Sequence, residues 1–66
     1  MITVNDFSLP YKQGMTLMDA LQEAAIDILG LNLITVNGTF AAADTYRTHL
    51  LSDGDIIISM KIVSGG

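Results

Sequence analysis

The chain has 66 residues, no cysteine and a net charge of −4, with Lys12, Arg47 and Lys61 as its cations. Disulfide stapling, thiolate chemistry and cysteine-ligated metal sites are thereby excluded, and no basic stripe exists to displace counterions from nucleic acid or to hold an anionic membrane. Half of the residues are hydrophobic, so the expectation is one small domain held by packing alone, whose acidity suits a basic partner protein.

Met1 leads straight into an alternating segment, without the basic and apolar regions of a signal peptide. No apolar run approaches the roughly 20 residues of a spanning helix. The expected location is the cytoplasm.

In Ile2-Thr3-Val4-Asn5, Ile2 and Val4 share one face of a strand. Asn5-Asp6 is turn chemistry, because both residue types tolerate left-handed backbone. Phe7-Ser8-Leu9 alternates again and Tyr11 continues the Phe7–Leu9 face. The pair reads as a hairpin, with Pro10 placing its second strand at an edge. Thr16 is then a helix N-cap, with Asp19 three residues on. Leu17, Ala20, Leu21, Ala24, Ala25 and Ile28 recur at helical spacing, Asp19, Gln22, Glu23 and Asp27 fall mainly on the other face, and Gly30 is placed to end the helix.

Leu33–Val36 reads as a third strand with Ile34 and Val36 on one face. Asn37-Gly38 is a strong hairpin turn, with a brief pairing of Thr39-Phe40 beyond it. Residues 41–49 read as a loop with a helical turn around Asp44–Thr48, from which Tyr46 and Leu50 plug the core. Asp53-Gly54-Asp55 is a turn, and Ile56–Val63 is the last and most apolar strand. A strand this apolar belongs in mid-sheet, beside the first. The order β-β-α-β-(short β)-β predicts an α+β fold, a mixed four- to five-stranded sheet curled around one helix. The expected division is a folded domain over 1–63 and a flexible tail over 64–66.

Enzyme templates find little here. His49 is the single histidine, and Asp53 or Asp55 would be its acid–base partner. Asp53-x-Asp55 lacks the rest of a 12-residue calcium loop. Phosphate loops, nucleophile elbows and dinucleotide fingerprints are absent. The glycine pair at 65–66 is the exception. Without side chains, two glycines can thread a narrow channel and carry a carboxylate to a buried centre. Such a carboxylate has a pKa of roughly 3.5 and is ionised at neutral pH. It can attack the α-phosphate of ATP at a partner's active site, displacing pyrophosphate and becoming an acyl-adenylate. The plain alternative is a frayed terminus or an expression linker.

The strand order, the Thr-capped helix, "ITVNG", "LLSDGDII" and the ending "VSGG" together resemble the ThiS/MoaD family of ubiquitin-like bacterial sulfur carriers. The resemblance covers essentially the whole chain and is nearest to the ThiS type, with Asn37, Tyr46, Leu51, Gly54 and Asp55 in that type's pattern. It implies a β-grasp fold and a protein that is a co-substrate rather than an enzyme. An E1-like, ThiF-like adenylyltransferase would adenylate Gly66, using ATP and magnesium that belong to that enzyme. A cysteine desulfurase or rhodanese-type donor would convert the adenylate to a thiocarboxylate. A ThiG-like thiazole synthase would take the sulfur for thiamine. Gly65 and Gly66 form the reactive end, and Ile56, Ile58, Met60, Ile62, Val63 and Ser64 form the partner-binding stretch. Two departures stand out. Ala41-Ala42-Ala43 replaces the usual Val-Pro-Arg/Lys of ThiS sequences, and Lys61-Ile62 replaces the proline pair of MoaD. A MoaD-like carrier for molybdopterin, a carrier for another sulfur product, a ubiquitin-like modifier and a passive interaction module remain the alternatives.

For the last strand, simple alternation buries Ile56, Ile58, Met60 and Ile62. The register implied by the resemblance turns positions 57 and 59 inward and leaves 56, 58 and 60 outward as an exposed docking patch. The second is preferred here; burial on both faces is the third reading.

Overall fold

The computed structural model describes residues 1–26 and 32–61. The elements are β1 (Ile2–Val4), β2 (Phe7–Leu9), α1 (Leu17–Glu23), β3 (Asn32–Val36), β4 (Thr39–Phe40), a 3-10 turn (Ala43–Thr45) and β5 (Ile56–Lys61). They build one five-stranded sheet in the order β2-β1-β5-β3-β4. β5 runs parallel to β1 and antiparallel to β3. The fold is α+β with a mixed sheet, and the last strand is central and beside the first, as its composition predicts. β2, which runs into Pro10, is an edge.

The core is apolar side chains from the inward rows of the sheet and from one face of α1. Ile2, Val4, Leu17, Leu21, Ile34 and Ile57 are fully enclosed, and Ala20, Tyr46 and Leu51 complete the cluster with others. Each large aliphatic side chain so enclosed contributes about 1.5–3 kcal/mol of transfer free energy. Among the described residues no polar or charged side chain is buried.

Local chemistry accounts for the joints. Asn5 sits at φ 53 in a turn that closes two residues after Val4 and pairs it with Phe7. Asn37 and Gly38 both have positive φ, 53 and 86, as a two-residue I′ hairpin requires. At the start of α1 the Thr16 hydroxyl accepts from the Asp19 N–H at 3.3 Å, and the Asp19 carboxylate accepts from the Thr16 N–H at 3.0 Å. This reciprocal capping box satisfies two backbone donors that a bare helix end leaves open.

Two expectations are corrected. The helix ends at Glu23, well before the expected stop at Gly30, which lies outside the described residues with Asp27 and Ile28. Ala25 adopts φ 58, its N–H donates to the Gln22 carbonyl, and the Ile26 N–H reaches back to the Leu21 carbonyl at 2.9 Å. This is a Schellman termination made without glycine, and the contact of Ile26 with the core drives it. Leu50 is 65% exposed, and Leu51 fills the core place expected of it. The Leu51 N–H donates to the Met15 carbonyl, which fixes 51 as the inward residue. Phe7 is 64% exposed although Leu9 on the same face is buried, because it stands at the hairpin end.

The preferred register of β5, with 57 and 59 inward and 56, 58 and 60 outward, is borne out, and simple alternation is not. Ile57 is fully buried, Ser59 is half-buried, and Ile56, Ile58 and Met60 are exposed. The cause is pairing. Ile57 lies between Val4 and Val36, both buried. Neighbours in register share a face, so the flanking strands set the parity of β5 against its own apolar pattern.

Candidate functional site

The stretch singled out by the sequence is carried by β5. Of the expected reactive and docking residues, Ile62, Val63, Ser64, Gly65 and Gly66 lie outside the described residues, as does the 64–66 tail. Ile56, Ile58 and Met60 lie within them, on the outward side of the central strand, 49%, 37% and 50% exposed.

Cross-strand register adds two residues that the sequence reading missed. Thr35 pairs with both Ile58 and Phe40, so Phe40, Thr35 and Ile58 form one outward row. Leu33 pairs with Met60 in the next row. Phe40 is 60% exposed. Its alternation inside a two-residue strand was too short to assign a face; the pairing of β3 with β5 assigns it.

The start of β5 is tied down by side chains. The Asn37 side-chain carbonyl accepts from the Ile56 N–H at 2.9 Å, and its amide donates to an Asp55 carboxylate oxygen at 2.9 Å. The other Asp55 oxygen accepts from the Ser52 N–H at 2.8 Å. The N-terminal ammonium of Met1 pairs with Asp53. Asp53 and Asp55 are thus engaged in the turn and the strand start, and Gly54 between them takes φ 94. No contact brings either to His49, whose carbonyl accepts the Leu17 N–H at 2.8 Å. Among the described residues, no three His, Asp or Glu side chains gather as a metal-holding group. No helix there is long and apolar enough to cross a membrane.

At the other end, β5 runs past β1. The Asn5 side-chain oxygen accepts from the Ser59 N–H at 2.9 Å, supplying one rung where β1 has already turned away. On the helix side, an open groove of about 450 Å³ is lined by Lys12, Met15, Asp19, Gln22 and Glu23; none of the expected site residues borders it. Burial raises the Tyr46 phenol above the ordinary value near 10. Of the alanines replacing the Val-Pro-Arg/Lys segment, Ala41 is buried in the core and Ala43 opens the 3-10 turn, exposed.

The mixed five-stranded sheet on one helix is a β-grasp architecture. Among solved structures, the chain is similar to a crystal structure of the thiamine biosynthesis protein ThiS from Geobacter metallireducens, with a TM-score of 0.78 over 98% of this chain and 97% of that one, at 16% identity. An NMR solution structure of a thiamine biosynthesis protein from the same organism gives a TM-score of 0.71 at 16% identity, over 98% of this chain and 86% of the other. At this identity the likeness establishes the fold. A scan against protein-family models finds no match, and a search of curated proteins finds none.

Proposed function

We infer that this protein is a ThiS-like sulfur carrier, a co-substrate whose terminal carboxylate is the reacting group. The observation that carries the reading is the fold likeness to ThiS along nearly the whole chain, together with a sequence that runs from β5 into Val63-Ser64-Gly65-Gly66. In the reaction, a Gly66 carboxylate oxygen attacks the α-phosphorus of ATP and releases pyrophosphate. The terminal sulfur of the donor's persulfide then adds to the acyl carbonyl and AMP leaves, and a thiol cleaves the S–S bond of the resulting acyl disulfide, forming a new disulfide and releasing the thiocarboxylate. ATP and magnesium belong to a ThiF-like activating enzyme, the sulfur comes from a desulfurase or rhodanese-type donor, and a ThiG-like thiazole synthase is the acceptor. This chain supplies the arm and a docking surface. The outward Ile56, Ile58 and Met60 lie on the strand that leads to the arm, where an activating enzyme can grip the carrier while the glycines enter its channel.

Incubation with ATP, an activating enzyme and a sulfur source, followed by intact mass spectrometry, tests the reading. The expected product has one oxygen of Gly66 exchanged for sulfur. Deletion of Gly66 is expected to abolish the exchange and leave the circular dichroism spectrum intact. An unchanged mass with several activating enzymes overturns it.

A further inference from the structure

The hydrogen bonds at the start of β5 hold a chemically labile dipeptide. Asparagine is thermolabile, because the backbone nitrogen of the next residue can attack its side-chain carbonyl carbon. The chain has three asparagines, followed by different residues: Asp6 after Asn5, Leu33 after Asn32 and Gly38 after Asn37. A side chain on the follower shields the attacking nitrogen, and glycine has none. Asn37 and Gly38 are both exposed, with open space beside Gly38, so water and hydroxide reach the pair. Residue type and exposure therefore single out Asn37-Gly38. The side-chain geometry opposes them. The Asn37 carboxamide is bound at both ends, Oδ1 accepting from the Ile56 N–H at 2.9 Å and Nδ2 donating to Asp55 Oδ1 at 2.9 Å. Asp55 is itself held, its other oxygen accepting from the Ser52 N–H at 2.8 Å. The Asn37 N–H adds a bond of 2.7 Å to the Ile56 carbonyl. Cyclisation draws the carboxamide carbon to the nitrogen of residue 38 and makes it tetrahedral, and a carboxamide that does so gives up its hold on β5 and Asp55.

We propose that Asn37-Gly38 is a spontaneous deamidation site that the fold holds latent, with the Asp55 carboxylate as its protecting group. In the reaction, hydroxide takes the Gly38 amide proton and the nitrogen bonds to Asn37 Cγ. The bond from Cγ to the side-chain nitrogen then breaks, ammonia leaves, and a five-membered succinimide closes. Water opens the ring at either carbonyl, giving aspartate or isoaspartate at position 37. The net change is water consumed and ammonia released. Both products undo the joint. Aspartate has no amide N–H for Asp55 and sets a second carboxylate against it, a like-charge contact. Isoaspartate adds a methylene to the backbone of a two-residue loop whose φ values of 53 and 86 let Val36 pair with Thr39. Either way the start of the central strand is untied. The proposal rests on these hydrogen bonds and not on the carrier reading.

Incubating the intact chain at mildly alkaline pH, with and without guanidinium chloride, tests it. Peptide mapping by mass spectrometry follows residue 37, where exchange of an amide NH2 for OH raises the mass and isoaspartate elutes apart from aspartate. Two side-chain hydrogen bonds, one of them to a charge, set the expected protection: conversion about 10- to 100-fold slower in the folded chain than in denaturant. In denaturant, Gly38→Ala is expected to slow conversion, because its methyl group shields the nitrogen. Asp55→Ala is expected to speed conversion of the folded chain about tenfold. Asp55→Asn, which keeps an acceptor oxygen without the charge, is expected to fall between it and the wild type. Ile57→Val loosens the core and leaves the network in place, so it is expected to convert at the wild-type rate. Circular dichroism sets a temperature at which the compared chains are folded. Purified converted chain is expected to melt below unconverted chain. Equal rates with and without denaturant, conversion in denaturant that favours another asparagine, or folded Asp55 variants that convert no faster than Ile57→Val overturn the proposal.

Discussion

The two ends of β5 are held in different ways. At its start, Asn37 binds Ile56 through both backbone and side chain, Asp55 ties Asn37 to Ser52, and the Asp55 carbonyl accepts from the Thr3 N–H. At its far end, β3 pairs as far as Lys61 on one side, while on the other Asn5 reaches β5 past the end of β1, its backbone N–H donating to the Ile57 carbonyl and its side-chain oxygen accepting from the Ser59 N–H. Both asparagines occupy left-handed turn positions and both accept an N–H of β5. Each asparagine also donates its own backbone N–H to a β5 carbonyl, Asn37 to Ile56 and Asn5 to Ile57, so the ends differ in the Asp55 carboxylate that ties Asn37 on to Ser52. The start of the strand is therefore the more heavily tied of its two ends.

The largest test removes what the two ends share. Ile57→Ala empties the centre of the inward row and is expected to cost about 2–5 kcal/mol, against a total of roughly 3–10 kcal/mol for a chain of this size. Urea unfolding is expected to show both ends lost in one transition; retained protection of the Ile56 amide alone would break the comparison. Asn37→Ala comes next, at about 2–3 kcal/mol, since it removes two side-chain hydrogen bonds and strains a left-handed position. Asn5→Ala is expected to cost about 1–2 kcal/mol, with faster hydrogen exchange at Ser59 and little change at Ile56. Asn5→Gly relieves the strain and isolates the lost rung. Ala25→Gly, remote from both ends, is expected to raise stability by about 0.5–1 kcal/mol, because glycine accepts the left-handed terminus without penalty. The smallest effect is alkaline. Burial raises the Tyr46 phenol, so its contribution is complete below the ordinary value near 10 and is lost as pH rises past it. Thermal melts across that range check it; Tyr46→Phe is expected to flatten the loss.

Hairpins, the capped helix start and the central position of β5 were legible because each has a local cause: Asn-Gly backbone, Thr–Asp reciprocity, a run too apolar for an edge. The helix end was not, because Ala24-Ala25 reads as helix and the stop depends on Ile26 reaching the core. Simple alternation misses the parity of β5 for the same reason, since Val4 and Val36 determine it from far away in sequence, whereas the register implied by the family resemblance has it right. Phe40 and Leu33 were invisible as surface partners of Ile58 and Met60 until the strand register brought them together. The chemistry assigned to the glycine pair rests on sequence alone, because those residues lie outside the described part of the fold.

The parallel pairing of β1 with β5 also sets a schedule for the nascent chain. Residues 2–4 and 32–36 can each form a local hairpin as they emerge from the ribosome, yet the strand that joins them is residues 56–61. Until it is synthesised, β1 and β3 present open edges and Ile57, the centre of the inward row, is missing. Closure of the sheet therefore waits for residues 56–61, and a chain that has not yet made them carries two unpaired strand edges that invite association.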